Sequence, residues 1–236
     1  NPHNAAGKAR FGINPANTLG VSVKDLRALA KGKRDHTTAL DLWASGIHEA
    51  RILAAMIDDP AAVTPEQMNA WAADFDSWDV CDQVCMNLFD RTPYAYPKVA
   101  EWSARQEEFV KRAAFTLMAC LAVHDKQAEN NRFLDFLPVI EREAADPRNY
   151  VKKAVNWALR QIGKRNPVLR QAAIHSARRL LAVDSAAARW VACERPVVLC
   201  GGELSLSMLD LQFDHEARYY NAPPQVKANN GLLVID

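Results

Sequence analysis

Apolar residues recur at spacings of three and four in segment after segment of this chain, the period of an amphipathic α-helix, and strand signals are nearly absent before residue 194. The pattern predicts helices over 22–31, 36–44, 47–58, 64–73, 78–90, 94–105, 107–123, 131–145, 150–164, 167–182 and 185–193. Short punctuators such as Asp59-Pro60, Thr92-Pro93 and Asp146-Pro147 separate them, because the residue before a proline is steered out of the helical region. From about Cys193 the helical period stops. Pro196, Gly201-Gly202 and Pro223-Pro224 accompany two short apolar runs, Pro196 to Cys200 and Leu232 to Ile235, so the tail is expected to be irregular.

Many short antiparallel helices in series suggest stacked repeats. Val110-Lys111-Arg112-Ala113 returns as Val151-Lys152-Lys153-Ala154, an offset of 41 residues that falls in the HEAT or armadillo period. Both copies open long amphipathic helices, so stacked pairs would set equivalent faces along one side of a superhelix. The expected architecture is all-α, a HEAT-like or armadillo-like α-α solenoid over residues 10–193 with an irregular C-terminal tail over 194–236.

Composition narrows the class. The 236 residues are 49% hydrophobic, enough for a continuous core, and no run approaches the roughly 18 apolar residues of a membrane-spanning helix. The segment Asn1 to Phe11 is polar and basic, unlike a signal peptide, so a cytoplasmic location is expected, and the start at Asn1 rather than Met reads as a trimmed amino terminus. Cys81 and Cys85 stand one helical turn apart with no His or third Cys beside them to complete a zinc set, so they are expected to be buried free thiols, with no metal or other cofactor.

The net charge of +1 conceals a strong polarity. Between Pro147 and Trp190 ten basic residues face one acid, a local charge of +9, which leaves 19 basic against 27 acidic residues elsewhere. One face of strong positive potential implies a polyanion, with duplex DNA as the leading partner of a monomeric chain.

Helical projection at about 100° per residue refines this. In 150–165, Val151, Val155, Ala158, Leu159 and Ile162 share one face, and Lys153, Trp157, Arg160 and Lys164 share the opposite one. An indole among cations suits a groove that neutralises phosphates and packs against sugar or base, although a Trp bridging to a neighbouring helix gives the same pattern. The helix from 107 to 121 repeats the plan, with Lys111, Arg112 and Phe115 opposite the core face, or with Phe115 in an interhelical contact. Lys111, Arg112, Lys153, Arg160, Lys164 and Arg165 are thus candidate DNA contacts. In the helix that opens at Trp78, Asp82 lies at i+4 from that ring, away from Val80, Cys81, Val84 and Leu88. A helix-terminal charge capped by Ser77 or Asp76 accounts for Asp79 better than for Asp82. A carboxylate in a DNA-facing groove repels phosphates and calls for a chemical reason. One is glycosidic cleavage, in which it stabilises an oxocarbenium-like deoxyribose.

Three spaced motifs, Phe75-Asp-Ser-Trp-Asp-Val-Cys-Asp82, Glu108-Phe-Val-Lys-Arg-Ala113 and Val151-Lys-Lys-Ala-Val-Asn-Trp-Ala-Leu-Arg160, followed by Lys164-Arg-Asn-Pro167, resemble the DNA alkylation repair enzyme family, the AlkD-like HEAT-repeat DNA glycosylases. The resemblance spans roughly residues 10 to 192; the tail departs from it. It implies a concave basic surface that grips duplex DNA and excises N3- and N7-alkylated purines. Asp82 would be the catalytic carboxylate, Trp78 and Trp157 would contact the lesion-bearing nucleotide, and Arg112 would hold the adjacent backbone. A non-catalytic HEAT module for damaged or branched DNA, or a protein-binding HEAT scaffold, would share much of this pattern.

Overall fold

The computed structural model describes residues 13, 17–182, 197–200, 212–214, 219–221 and 232–235. The chain divides into two compact units, Asn1–Val191 and Ala192–Asp236. The first carries α1 (Val23–Ala30), α2 (His36–Ala44), α3 (His48–Ile57), α4 (Pro65–Ala73), α5 (Trp78–Asn87), α6 (Ala95–Ser103), α7 (Glu108–His124), α8 (Asn130–Leu134), α9 (Phe136–Glu143), α10 (Asn149–Arg165) and α11 (Pro167–Ala182), with a 3₁₀ turn at Phe89–Arg91 after α5. These follow the apolar period closely. The helix expected over 185–193 lies outside the described residues.

Local chemistry sets the helix ends. Ser22, Asp35 and Thr64 cap α1, α2 and α4 by accepting from the backbone N–H three residues on, and Pro65 fills the first position of α4, where its missing N–H costs nothing. Gly46, at φ 66°, turns the chain from α2 into α3 in the left-handed region that glycine enters freely. The single helix expected over 131–145 is broken at Asp135 into α8 and α9. Pro138 explains the break: in a continuous helix it would leave the Leu134 carbonyl without a donor and clash with it, whereas in the first turn of α9 it is tolerated.

Helices α3, α5, α7 and α10 form a spine in which each packs on the next, with α2 against α3, α6 against α7, and α9 and α11 against α10. The core runs the length of this stack. Trp43 stacks on Trp71 at 4.0 Å, and Trp71, Phe89 and Trp102 continue the contact inward, so these three tryptophans are structural. Where α10 crosses α11, a Cβ built on Gly163 would lie 3.1 Å from Ala173 Cβ, so the missing side chain lets the two helices approach.

One expectation is corrected by the position of α7. With α5, α6 and α10 packed around it, α7 is buried from Val110 to Ala122. Lys111, Arg112 and Phe115 therefore do not share a solvent face. Phe115 is wholly enclosed, the interhelical alternative, and the two cations are buried in ion pairs.

In the second unit the two apolar runs are strands rather than irregular chain. β1 (Val197–Cys200) pairs in parallel with β4 (Leu232–Ile235), and β2 (Gln212–Asp214) pairs antiparallel with β3 (Tyr219–Asn221). Runs rich in Val, Leu and Ile favour such pairing. Among the described residues no helix is long and apolar enough to cross a membrane.

Candidate active site

The amino-terminal turn of α5 carries two acids with different partners. The Asp79 carboxylate accepts from Ser77 Oγ at 2.7 Å and Val80 N at 3.0 Å, and it meets His48 Nε2 of α3 at 2.8 Å. Burial pulls its pKa upward, but His48, Ser77 and the Val80 amide outweigh that, and the net shift is downward. Ser77 thus opens the helix while its hydroxyl serves Asp79 rather than capping a backbone amide. Asp79 is a structural tie between α3 and α5.

Asp82, one turn on, faces α7. Arg112 donates to it in a fork, Nε to Oδ1 at 3.0 Å and Nη2 to Oδ2 at 2.8 Å, and Thr116 Oγ1 donates to Oδ1 at 3.0 Å. Arg112 Nη1 also donates to the Tyr150 carbonyl at the start of α10, at 2.7 Å, so one guanidinium joins three spine helices. Its Cζ lies 6.0 Å from the Trp78 ring centroid. The Asp82 side chain is 13% exposed and that of Arg112 6%. Burial lifts the Asp82 carboxyl above its ordinary range, opposed by Arg112 and then Thr116; burial also lowers Arg112, but the Asp82 charge and hydrogen bonds leave it raised. A carboxylate offers about four acceptor sites. Among the described residues Oδ1 uses two and Oδ2 one, which leaves one lone pair of Oδ2 uncommitted on a fixed carboxylate that is 13% exposed.

The other candidates fall into two groups. Lys111 donates to Glu143 Oε2 at 2.5 Å and lies 3.6 Å from Asp146, and Arg165 donates to the Ala122 and Ala128 carbonyls while stacked 4.3 Å over Phe133. Lys111 is a buried structural cation, corrected from the exposed contact expected of it, while Arg165 is half-buried and committed to these carbonyls. On α10 the projection matches the burial. Lys153, Arg160 and Lys164 are exposed, Trp157 is half-buried, and none has a side-chain partner among the described residues. Of the ten cations between Pro147 and Trp190, Arg148 and Arg179 are also paired internally, with Asp146 and Glu141, and Arg189 lies outside the described residues.

The structure therefore brings together Trp78, Asp82 and Arg112, and sets a free cationic stripe with Trp157 on the helix that Arg112 touches. Thr116, His48 and the Tyr150 carbonyl were not found from sequence. Their roles depend on the register between helices about 30 residues apart, which no local pattern encodes.

Stacked helical pairs in series define a HEAT-like repeat fold. Residues 1–190 match the family described as DNA alkylation repair enzyme, and the chain belongs to that family. A solved structure from a new family of proteins related to the HEAT-like repeat DNA glycosylases with affinity for branched DNA structures has the same fold, with a TM-score of 0.68 and 19% identity, over 76% of this chain and 77% of that one. No curated protein matches this chain.

Proposed function

We propose that this chain is a DNA glycosylase that holds duplex DNA against α10 and the start of α5 and excises N3- and N7-alkylated purines. The observation that carries this reading is the Oδ2 lone pair of Asp82 left uncommitted among the described residues, on a carboxylate held by Thr116 and by Arg112, whose guanidinium also touches the start of the helix that carries the cationic stripe. Lys153, Arg160 and Lys164 neutralise phosphates, and Trp157 and Trp78 pack against the nucleotide. An alkylated purine already carries positive charge, so its bond to C1′ breaks with both electrons leaving on the base, which departs neutral and needs no general acid. The deoxyribose becomes oxocarbenium-like, and the Asp82 charge with the indole faces stabilises it. Water adds at C1′, and its proton passes to the Asp82 carboxylate and on to solvent. Neither a metal nor an organic cofactor enters this scheme.

A second reading, a non-catalytic module for damaged or branched DNA, is favoured by the same fork of Arg112, which covers most of the carboxylate, and by the affinity for branched DNA of the structural relative. The test is release of free N7-methylguanine from alkylated duplex by purified protein, with binding measured in parallel. Release above the spontaneous rate supports the glycosylase; binding without release leaves the module.

A further inference from the structure

The cationic stripe of α10 does not stop beside the Asp82 site. At Lys164 it enters a cleft of about 640 Å³ between the end of α7, the loop before α8 and the end of α10. Lys126, Glu129, Asn130, Gln161, Lys164 and Arg165 contribute its polar lining. Lys126 and Lys164 are exposed and have no side-chain partner among the described residues. The wall formed by the end of α7 would repel an anion through its carbonyls, but Arg165 covers the carbonyls of Ala122 and Ala128. Asn130 Oδ1 accepts from Asn166 Nδ2 at 2.8 Å, which leaves the Asn130 amide N–H groups as further donors at the rim. Three cations thus stand against one acid, Glu129.

Resting on the reading that this protein holds duplex DNA, we infer that the cleft is a second phosphodiester subsite, which grips the backbone away from the lesion. Lys153, Trp157, Arg160 and Lys164 fall on one stripe of α10, and the seven steps from Trp157, which packs against the lesion-bearing nucleotide, to Lys164 span about 10 Å at 1.5 Å per residue. That is about three base steps at 3.4 Å along one strand. A backbone that follows the stripe from the lesion enters the cleft roughly three nucleotides away on one side only, so the footprint has its longer arm toward the cleft.

The test combines a charge change with DNA length. Wild type and Lys126→Glu/Lys164→Glu are titrated with duplexes bearing one central N7-methylguanine, shortened stepwise from one end and then the other. Wild-type affinity is expected to step down when one end, and not its opposite, recedes to within about three base pairs of the lesion. The variant binds the long duplex weakly, shows no step, and has a salt slope shallower by about two units. Glu129→Gln has the opposite sign and tightens long-duplex binding alone. Both lysines are exposed and unpaired, so an unchanged thermal midpoint checks the fold. A variant that matches wild type in long-duplex affinity and salt slope overturns this subsite and removes Lys164 from the phosphate contacts, while the functional reading stands on Asp82, Lys153 and Arg160. A wild-type protein that binds no duplex of any length overturns both.

Discussion

Arg112→Met removes the guanidinium from a carboxylate that is 13% exposed, and so asks what the Asp82 environment costs the fold. Breaking a buried pair from one side leaves an uncompensated charge, worth about 3–5 kcal/mol. For a chain of this size that is a fall in the unfolding midpoint of about 6–20 °C. Only part of the loss comes from the Tyr150 carbonyl and the contact with Trp78, about 1–2 kcal/mol, so the same change made in Asp82→Asn is expected to cost that smaller amount. The pH dependence has a definite sign. Burial already raises the folded pKa of Asp82 above its ordinary 3.8, and losing Arg112 raises it further. The folded variant therefore binds the proton more tightly than the unfolded chain. Its deficit against wild type is full above the raised pKa, shrinks as pH falls through the window, and below about 3.8, where Asp82 is neutral in both states, falls to the about 1–2 kcal/mol of the Tyr150 and Trp78 contacts. Urea unfolding followed by tryptophan fluorescence at neutral and mildly acidic pH reads this. An Arg112→Met cost that is the same in both backgrounds and at both pH values would refute the claim that a charged Asp82 is held by Arg112.

Thr116→Val removes one hydrogen bond to the Asp82 carboxylate, so the acidic limb of the excision rate is expected to move to higher pH, while Thr116→Ser keeps the wild-type profile; identical limbs in all three would count against Thr116 as a positioning residue. Gly46→Ala meets open space but must hold φ 66°, and a loss of about 1 kcal/mol in chemical unfolding is expected, with a neutral result contradicting the left-handed turn. Lys153→Glu with Arg160→Glu is expected to lower duplex affinity at low salt and to flatten the salt dependence by about two units; unchanged binding would remove α10 as the DNA-facing helix.

Much of this molecule was legible in its sequence because apolar period and proline punctuation are local signals. The plan of α10 held, since one face meets α7, α9 and α11 and the other is open. The same projection failed for α7, because it assumes one solvent side and α7 has packed neighbours all round. For the same reason Lys111 and Arg112 read as surface cations until the ion pairs to Glu143 and Asp82 were known. The pairing of β1 with β4 joins segments more than 30 residues apart, and each run alone is too short to announce its partner. The motif around Asp82 was visible, but the fork that fixes the carboxylate depends on how α5 lies against α7.

The central claim is that the Asp82 carboxylate stabilises a developing sugar cation. Its most direct test is the single-turnover rate of N7-methylguanine release with duplex saturated by wild type or by Asp82→Asn, an isostere without the charge. The expected result is a rate lower by about 10²–10³ in Asp82→Asn at undiminished DNA affinity. Release at the wild-type rate by Asp82→Asn would contradict the account.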